Sequence, residues 1–341
     1  MTAIRITRRA ALAGMAALPF VPAIAGAEVG GITRLDPALD AVVDANAPIE
    51  IIASGYKWAE GPAWDVAEKC LYFSDVPSNI VYRWKEGEGA KEFLNPSGLA
   101  GPIPAGIREA GANGLLVHDG KLLLADSGTR LIAAVDLKTR ARTVLADRYD
   151  GKRFNSCNDL ARSSDGAIYF TDPPYGLAEG DQSPLKELPF NGVFRLKDGK
   201  VDLIDRSLTR PNGIAVSRNT LFVAISDPDR PEILAYTLGT NGLPKGKPRV
   251  FHDARPQMAQ KLPGNCDGLK LDNEGRVYAT GPGGVHVLSP KGKLLGIIGT
   301  GKAVANCAFG EDGGTLFLTS SDSVARVRLK ARGYFLMESP A

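Results

Sequence analysis

The stretch that decides the fold reads Arg153-Phe-Asn-Ser-Cys-Asn-Asp159, and it leads into Gly166-Ala-Ile-Tyr-Phe-Thr-Asp-Pro-Pro-Tyr-Gly176. Two asparagines, Asn155 and Asn158, stand just before or at the start of a short predicted strand. A Ser-Asp-Gly hairpin signal separates that strand from the β-rich run Ile168-Tyr-Phe-Thr171. Asparagine offers a hard oxygen and an N–H donor together, which suits a cation or a carbonyl-bearing ligand. The same pattern recurs along the chain.

From Glu60 onward one unit occurs six times. It consists of a polar anchor residue, an apolar strand, a hairpin rich in Asp, Asn and Gly, and a second strand that ends near Asp, Thr or Ser; most copies also show a third strand. The anchors, spaced 39 to 55 residues apart, are Glu60, Asn113, Asn158, Asn212, Asp267 and Asn306. Such a repeat is typical of a β-propeller, because a lone four-stranded sheet cannot bury both of its faces. We therefore predict an all-β, six-bladed β-propeller; a β-sandwich followed by a second β domain gives no reason for a sixfold repeat.

The predicted propeller spans residues 48–341. Residues 28–47 are predicted to form an N-terminal arm, which is either irregular or a short helix at residues 36–43. The sixth copy shows three clear strands, so a fourth must come from elsewhere. Ile49-Glu-Ile-Ile-Ala53 would close the ring, and Tyr334-Phe-Leu-Met337 competes for that role.

Residues 1–27 have the pattern of a twin-arginine-type signal peptide. Arg8 and Arg9 precede a short apolar run at residues 10–25, and Ala25-Gly26-Ala27 fits a small-residue cleavage site. The pattern predicts export of the folded protein by the twin-arginine (Tat) machinery into the bacterial periplasm, with no stable membrane association after cleavage. A retained amphipathic helix or membrane anchor is the alternative.

Charge and cysteine usage exclude several classes of function. Beyond residues 1–27 the chain carries 38 basic and 38 acidic residues, a balance that gives no electrostatic footprint for nucleic acid or an anionic membrane. The four cysteines lack any CxxC spacing, which argues against a cysteine-based zinc site. Cys157 and Cys266 each precede an anchor, so a disulfide between them is one possibility and buried free thiols are the other.

In a propeller the six anchors would meet at one end of the central channel. With two carboxylates and four amides facing one axis, the carboxylates would repel each other and the amide oxygens would lack partners. A divalent cation at the axis would offset the repulsion and bind these oxygens. Hard oxygen ligands with two negative charges favour one Ca²⁺, with Mg²⁺, Mn²⁺ or Zn²⁺ as alternatives. A single Asn-Gly or Asp-Gly is more often a turn, but the recurring register favours a central metal-binding channel.

Several segments closely match those of one family. The chain resembles the SMP-30/gluconolactonase/luciferin-regenerating enzyme family, and most of all its bacterial gluconolactonase-type members. The resemblance implies a six-bladed propeller with one catalytic divalent ion in the channel. The matching segments are Glu60-Gly-Pro-Ala-Trp64 with Leu71-Tyr-Phe-Ser-Asp75, Asp147-Arg-Tyr-Asp-Gly-Lys-Arg-Phe-Asn-Ser-Cys-Asn-Asp159, Ile168 to Gly176, Arg210-Pro-Asn-Gly213, Cys266-Asp-Gly268 and Val304-Ala-Asn-Cys-Ala-Phe309.

The resemblance also implies roles for single residues. Asp267 matches the acid proposed as general base. The residues that match metal ligands are Glu60, Asn212 and Asp267, with Asn158 either joining them or meeting the substrate; the residues in segments that line the substrate pocket are Asn113, Arg153, Asn155 and Tyr175. Two departures concern the pocket: Cys157 stands where relatives often have Pro, and Ala125-Asp126-Ser127-Gly128 replaces a segment that frequently carries Glu-His.

These observations favour a metal-dependent hydrolase that opens a small-molecule lactone, such as D-glucono-1,5-lactone, to the aldonic acid, in a monomer or dimer. A phosphotriesterase or esterase on the same metal centre is one alternative, and a non-enzymatic propeller binding module is another. No G-x-S-x-G elbow supports a serine hydrolase. The three histidines, His118, His252 and His286, occupy positions that favour structural or solvated roles.

Overall fold

The computed structural model describes residues 26–334, which form strands joined by turns and loops, with three short helices. Residues 1–25 and 335–341 lie outside the described part. Nearly all of the predicted signal peptide, residues 1–27, and the end of the competing closing segment fall there. None of the helices in residues 26–334 has the length and apolarity that a membrane crossing requires.

The first half of the described chain builds three four-stranded antiparallel blades. Two strands come before them, β1 (Gly31–Arg34) and β2 (Ile49–Ser54), separated by a 3-10 helix at Pro37–Ala41. The strands of blades 1 and 2 are β3 (Ala59–Asp65), β4 (Cys70–Asp75), β5 (Ile80–Lys85), β6 (Gly89–Leu94), β7 (Ala112–His118), β8 (Lys121–Asp126), β9 (Leu131–Asp136) and β10 (Arg142–Ala146). A small hairpin of β11 (Arg148–Tyr149) and β12 (Lys152–Arg153) precedes blade 3, which comprises β13 (Leu160–Arg162), β14 (Ile168–Asp172), β15 (Asn191–Lys197) and β16 (Lys200–Leu208), with a 3-10 turn at Gly180–Gln182.

The second half repeats the same sheet. Blade 4 comprises β17 (Pro211–Val216), β18 (Thr220–Asp227), β19 (Arg230–Thr237) and β20 (Arg249–Asp253), followed by a short helix at Arg255–Met258. Blades 5 and 6 are built from β21 (Leu269–Leu271), β22 (Val277–Gly281), β23 (Gly284–Leu288), β24 (Leu294–Gly299), β25 (Val304–Gly310), β26 (Thr315–Ser320) and β27 (Ser323–Arg328). The predicted all-β, six-bladed β-propeller is confirmed.

The ring is closed by the N-terminal strand β2. It pairs antiparallel with β27, with Ile49 opposite Val327, and so supplies the fourth strand of blade 6. The prediction for Ile49-Glu-Ile-Ile-Ala53 is confirmed. The predicted arm, residues 28–47, contributes β1, which pairs with β24 and becomes a fifth strand at the edge of blade 5.

Apolar side chains pack into six clusters, one between each pair of neighbouring blades. Between blades 2 and 3, Phe154, Phe170 and Phe194 pack with ring centroids 5.1–5.3 Å apart. Burying each such side chain contributes about 1.5–3 kcal/mol. The same kind of contact between Trp84 of blade 1 and Phe317 of blade 6 joins the first blade to the last. The blades therefore hold the channel rigidly from all sides.

All four cysteines, Cys70, Cys157, Cys266 and Cys307, lie in the described residues as buried free thiols. The disulfide considered between Cys157 and Cys266 is not formed. Burial raises the pKa of the Cys157 thiol well above its ordinary value, so this group packs as a small apolar side chain.

Candidate active site

A cavity of about 180 Å³ lies where the innermost strands of the blades begin. Five of its lining residues are anchors of the sequence repeat, each from a different blade. The complete lining consists of Trp58, Glu60, Val76, Glu109, Asn113, Asn158, Tyr175, Asn212, Ser226 and Asp267. Five of the six blades therefore deliver one polar anchor to a common point. The sixth anchor, Asn306 of blade 6, does not line the cavity, and its Oδ1 accepts a hydrogen bond from the N–H of Cys307 at 2.9 Å.

The structure brings together most of the residues that the sequence singled out. All four predicted metal ligands, the predicted base Asp267, and two of the predicted substrate residues, Asn113 and Tyr175, line the cavity. Two other predicted substrate residues, Arg153 and Asn155, do not. Four residues line the cavity without having been predicted: Trp58, Val76, Glu109 and Ser226.

The glycine after an anchor is required by the close approach of neighbouring blades. A Cβ on Gly61 would lie 2.0 Å from the carbonyl oxygen of Asn113, and one on Gly213 would lie 2.1 Å from that of Asp267. Gly61 also has a φ of +51°, which favours glycine. These Asn-Gly, Glu-Gly and Asp-Gly pairs are therefore packed strand starts around the channel rather than turns.

Hydrogen bonds between neighbouring blades hold the anchors in place. The hydroxyl of Ser74 donates to the carbonyl oxygen of Asn113 at 2.7 Å, and the hydroxyl of Thr171 donates to that of Asn212 at 2.6 Å. The N–H of Gly114 donates to the carbonyl oxygen of Asn158 at 2.7 Å. Each bond joins one blade to the next, so the anchor side chains project from a backbone that is held in place. They therefore lose little conformational freedom when a ligand binds.

Three carboxyl groups line the cavity, Glu60, Glu109 and Asp267, and burial raises the pKa of each. Burial raises the pKa of Glu60 to about 7, although the N–H of Gly61 donates to its Oε2 at 2.7 Å and opposes the rise. Removal from bulk water, followed by the charges of Glu60 and Asp159, raises the pKa of Asp267 well above its ordinary value. Glu60 and Asp267 disfavour each other's ionised form, so the cavity favours a cation.

Unpaired polar atoms also surround this cavity. Eight buried side-chain nitrogen or oxygen atoms in residues 26–334 have no hydrogen-bond partner, and three of them belong to cavity residues: Asn212 Oδ1, the Tyr175 hydroxyl and Glu109 Oε2. An unpaired buried polar group costs about 1–3 kcal/mol, so the unpaired Asn212 oxygen beside two carboxyl groups fits a hard cation. Within the described residues no group of three or more His, Cys, Asp and Glu side chains is arranged to hold a metal, so amide oxygens must complete any coordination shell here.

None of the three histidines lines the cavity. His252 on β20 and His286 on β23 are buried with their ring nitrogens 3.1 Å apart, and Nε2 of His286 lies 2.9 Å from the carbonyl oxygen of Pro282. Burial lowers the pKa of His252 to about 4, so this pair is a neutral structural contact between blades 4 and 5.

Arg153 and Asn155 brace the loop before blade 3 instead of lining the cavity. Nδ2 of fully buried Asn155 donates to the carbonyl oxygens of Asp172 and Phe190 at 3.0 and 2.9 Å. Nη2 of Arg153 donates to the carbonyl oxygen of Thr129 at 2.6 Å. Nε of Arg153 and Oδ1 of Asn155 are nevertheless buried without a hydrogen-bond partner, so these contacts do not satisfy either side chain completely. The expectation that both residues meet a substrate stays a prediction.

Comparison with known proteins places the chain in a family. Residues 58–322 match the family model described as the SMP-30/Gluconolactonase/LRE-like region. The chain belongs to this family. It is 48% identical over 315 residues to a gluconolactonase of Zymomonas mobilis, covering 90% of this chain and 88% of that protein. It is also 24% identical over 253 residues to a diisopropyl-fluorophosphatase of Loligo vulgaris, covering 67% of this chain and 73% of that protein.

Solved structures agree with the observed fold. A gluconolactonase of Xanthomonas campestris superposes with a TM-score of 0.76 at 29% identity, covering 90% of this chain and 99% of that one. A calcium-binding regucalcin of Agrobacterium tumefaciens superposes with a TM-score of 0.65 at 19% identity, covering 89% and 95%, and supports the fold alone. The predicted family is confirmed, and the lactonases among these relatives bear out the predicted class of enzyme.

Proposed function

We propose that this protein is a metal-dependent lactonase that hydrolyses a sugar lactone, such as D-glucono-1,5-lactone, to the aldonic acid. The observation that carries the proposal is the meeting of Glu60 and Asp267 with three strand-anchored asparagines in one cavity. The gluconolactonase relative at 48% identity supports the same class of substrate.

The metal would be held by oxygens of Glu60, Asn158, Asn212 and Asp267, a donor set of carboxylates and amides that suits Ca²⁺ best. When bound, the cation would polarise the lactone carbonyl as a Lewis acid. Its charge would also offset the repulsion between the carboxylates of Glu60 and Asp267, and it would give the unpaired oxygen of Asn212 a partner. Mg²⁺, Mn²⁺ and Zn²⁺ remain in the test as alternatives.

Asp267 is the residue that would move the proton. Its carboxylate takes a proton from the attacking water as the water oxygen bonds to the carbonyl carbon; the ring C–O bond then breaks and the ring oxygen receives a proton. The amides of Asn113 and Asn158 and the unpaired Tyr175 hydroxyl would orient the lactone by hydrogen bonds.

A phosphotriesterase is the second candidate, because a diisopropyl-fluorophosphatase is among the relatives.

The deciding assay treats purified protein with chelator, restores Ca²⁺, Mg²⁺, Mn²⁺ or Zn²⁺ separately, and measures hydrolysis of D-glucono-1,5-lactone and of diisopropyl fluorophosphate. We expect the lactone to be hydrolysed only after metal is restored, with Ca²⁺ most effective. Turnover of the phosphorus compound alone would replace the proposal with the second candidate. Metal binding without turnover of either would move the search to other lactones and esters, and no metal binding would favour a binding module.

The cellular location is part of the same proposal. Residues 1–27 would direct the folded protein through the Tat machinery to the periplasm, with cleavage near Ala27. When the full chain is expressed in a bacterium, we expect the protein in the periplasmic fraction. Its intact mass, measured by mass spectrometry, should be that of a chain whose first residue is Glu28. Replacing Arg8 and Arg9 by Lys should leave the full-length chain in the cytoplasm; unchanged export of that variant would contradict the assignment.

A further inference from the structure

Two loops outside the sequence repeat meet at the cavity. One joins β6 to β7 and contains Glu109; the other joins β14 to β15 and contains Tyr175. The N–H of Arg108 donates to the carbonyl oxygen of Gly176 at 2.8 Å, and the N–H of Ala178 donates to that of Gly106 at 3.0 Å. These bonds fix the two loops to each other, so Glu109 and Tyr175 hold defined positions in the cavity wall.

Glu109 has a carboxyl oxygen that nothing in the described protein satisfies. Its Oε2 is buried without a hydrogen-bond partner, and its Oε1 lies 3.5 Å from Nη2 of Arg108, whose side chain is 53% exposed. That contact is too long and too solvated to compensate for the buried oxygen. A buried carboxyl oxygen facing a cavity therefore calls for a donor that enters the cavity.

The surroundings of Glu109 suit a hydroxylated ring. A carboxylate accepts hydrogen bonds from hydroxyl groups, and the unpaired Tyr175 hydroxyl in the same wall can donate or accept. Trp58, which is 36% exposed, lines the cavity as well and offers an aromatic surface to the C–H face of a sugar ring. A sugar ring carries hydroxyl groups at its edge and C–H groups on its face. The unpaired polar atoms of the cavity suit the hydroxyl groups, and the aromatic ring of Trp58 suits the C–H face.

We propose that Glu109 binds a ring hydroxyl of the substrate and thereby makes the enzyme selective for hydroxylated lactones over unsubstituted ones. This inference rests on the proposed lactonase function. Because Glu109 comes from a loop rather than from a blade anchor, it acts on substrate recognition, whereas the anchors carry the metal and the chemistry. Loss of its carboxylate should raise KM for a hydroxylated lactone and leave kcat nearly unchanged.

The test compares wild type with Glu109→Gln, and uses Glu179→Gln as the matched control, because Glu179 is exposed on the partner loop and does not line the cavity. The substrates are D-glucono-1,5-lactone and δ-valerolactone, which has the same six-membered ring without hydroxyls. We expect Glu109→Gln to lower kcat/KM for the first about tenfold to a hundredfold and to change the second by less than about threefold. The control should change neither.

Two binding measurements separate this inference from the lactonase proposal. Calorimetry gives the affinity of each variant for gluconolactam and for 2-piperidone, the lactam counterparts of the two substrates, and for Ca²⁺. We expect Glu109→Gln to bind gluconolactam about tenfold to a hundredfold more weakly. Its Ca²⁺ affinity should fall by less than about tenfold, because the charge of Glu109 reaches Asp267 without Glu109 being a ligand. If wild type hydrolyses neither lactone, the lactonase proposal fails and the lactam affinities alone decide the role of Glu109.

Several outcomes would overturn the role of Glu109. An equal loss on both lactones would assign it to the chemistry or the fold, and a loss of Ca²⁺ affinity of about tenfold or more would assign it to the metal shell. Unchanged affinity for gluconolactam, or no binding of either lactam by wild type, would remove Glu109 from substrate recognition altogether. Thermal melting of each variant detects misfolding, and Glu109→Leu, which cannot accept a hydrogen bond, must show at least the loss seen with Gln.

Discussion

Asp267→Asn is expected to lower kcat/KM for D-glucono-1,5-lactone by about 10²–10⁴-fold, because the change removes the group that takes the proton from the attacking water. Asparagine keeps the size of the side chain and an oxygen that can still ligate a cation. The protein should therefore fold and retain part of its Ca²⁺ affinity while losing turnover. Initial rates over a range of lactone concentrations, together with calorimetric Ca²⁺ titration, measure both effects.

The control for this substitution is Asp229→Asn, which makes the same chemical change in the exposed hairpin between β18 and β19. It should leave both turnover and Ca²⁺ affinity as in wild type. If Asp267→Asn keeps more than about a tenth of wild-type turnover, another group must serve as the base. If turnover and Ca²⁺ affinity vanish together, Asp267 acts through metal binding and its role as base needs separate proof.

The propeller could be predicted because its evidence repeats. Six copies of one strand pattern, each begun by a polar anchor, fix the number of blades, and the shortage of one strand in blade 6 points to Ile49-Glu-Ile-Ile-Ala53. Strand β1 gave no such signal, since Gly31–Arg34 is short, has no buried residue and belongs to no repeat. Its place on blade 5 depends on the tertiary contact with β24, which sequence periodicity does not encode.

The residues that line the cavity fall into the same two groups: those in the sequence repeat could be predicted, and those outside it could not. Anchors such as Asn158 could be found by register. Asn155 is of the same type and only three residues earlier, but its side chain donates to the backbone of Asp172 and Phe190 instead of lining the cavity. Glu109 could not be found, because its position depends on hydrogen bonds between two irregular loops far apart in sequence. Local sequence thus predicts what the blades present to the channel and misses what the loops add.

The stabilisation of the protein by Ca²⁺ is expected to grow as the pH rises from about 5 to about 8. Burial raises the pKa of Glu60 to about 7, above its ordinary value of 4.5, so the metal-free folded protein keeps a proton that the unfolded chain has already lost. Without metal, this group's stabilising contribution is complete below pH 4.5 and is lost as the pH rises through about 7, a change on the order of 3 kcal/mol. Asp267, whose pKa is also raised, acts in the same direction.

The metal-dependent part can be isolated by melting the protein from pH 5 to pH 8 in chelator and in excess Ca²⁺. Asp172 and His252 also titrate abnormally, because burial raises the pKa of the first to about 7 and lowers that of the second to about 4, but neither lines the cavity and both contribute equally in the two series. Calcium must displace the protons of Glu60 and Asp267, so its stabilising effect should be smallest at pH 5.

Glu60→Gln should melt at a higher temperature than wild type in chelator at pH 8 and lose most of the stabilisation by Ca²⁺. A Ca²⁺ effect of equal size at both pH values would show that the cation binds elsewhere, since only ligands that must lose a proton make its binding depend on pH in this range.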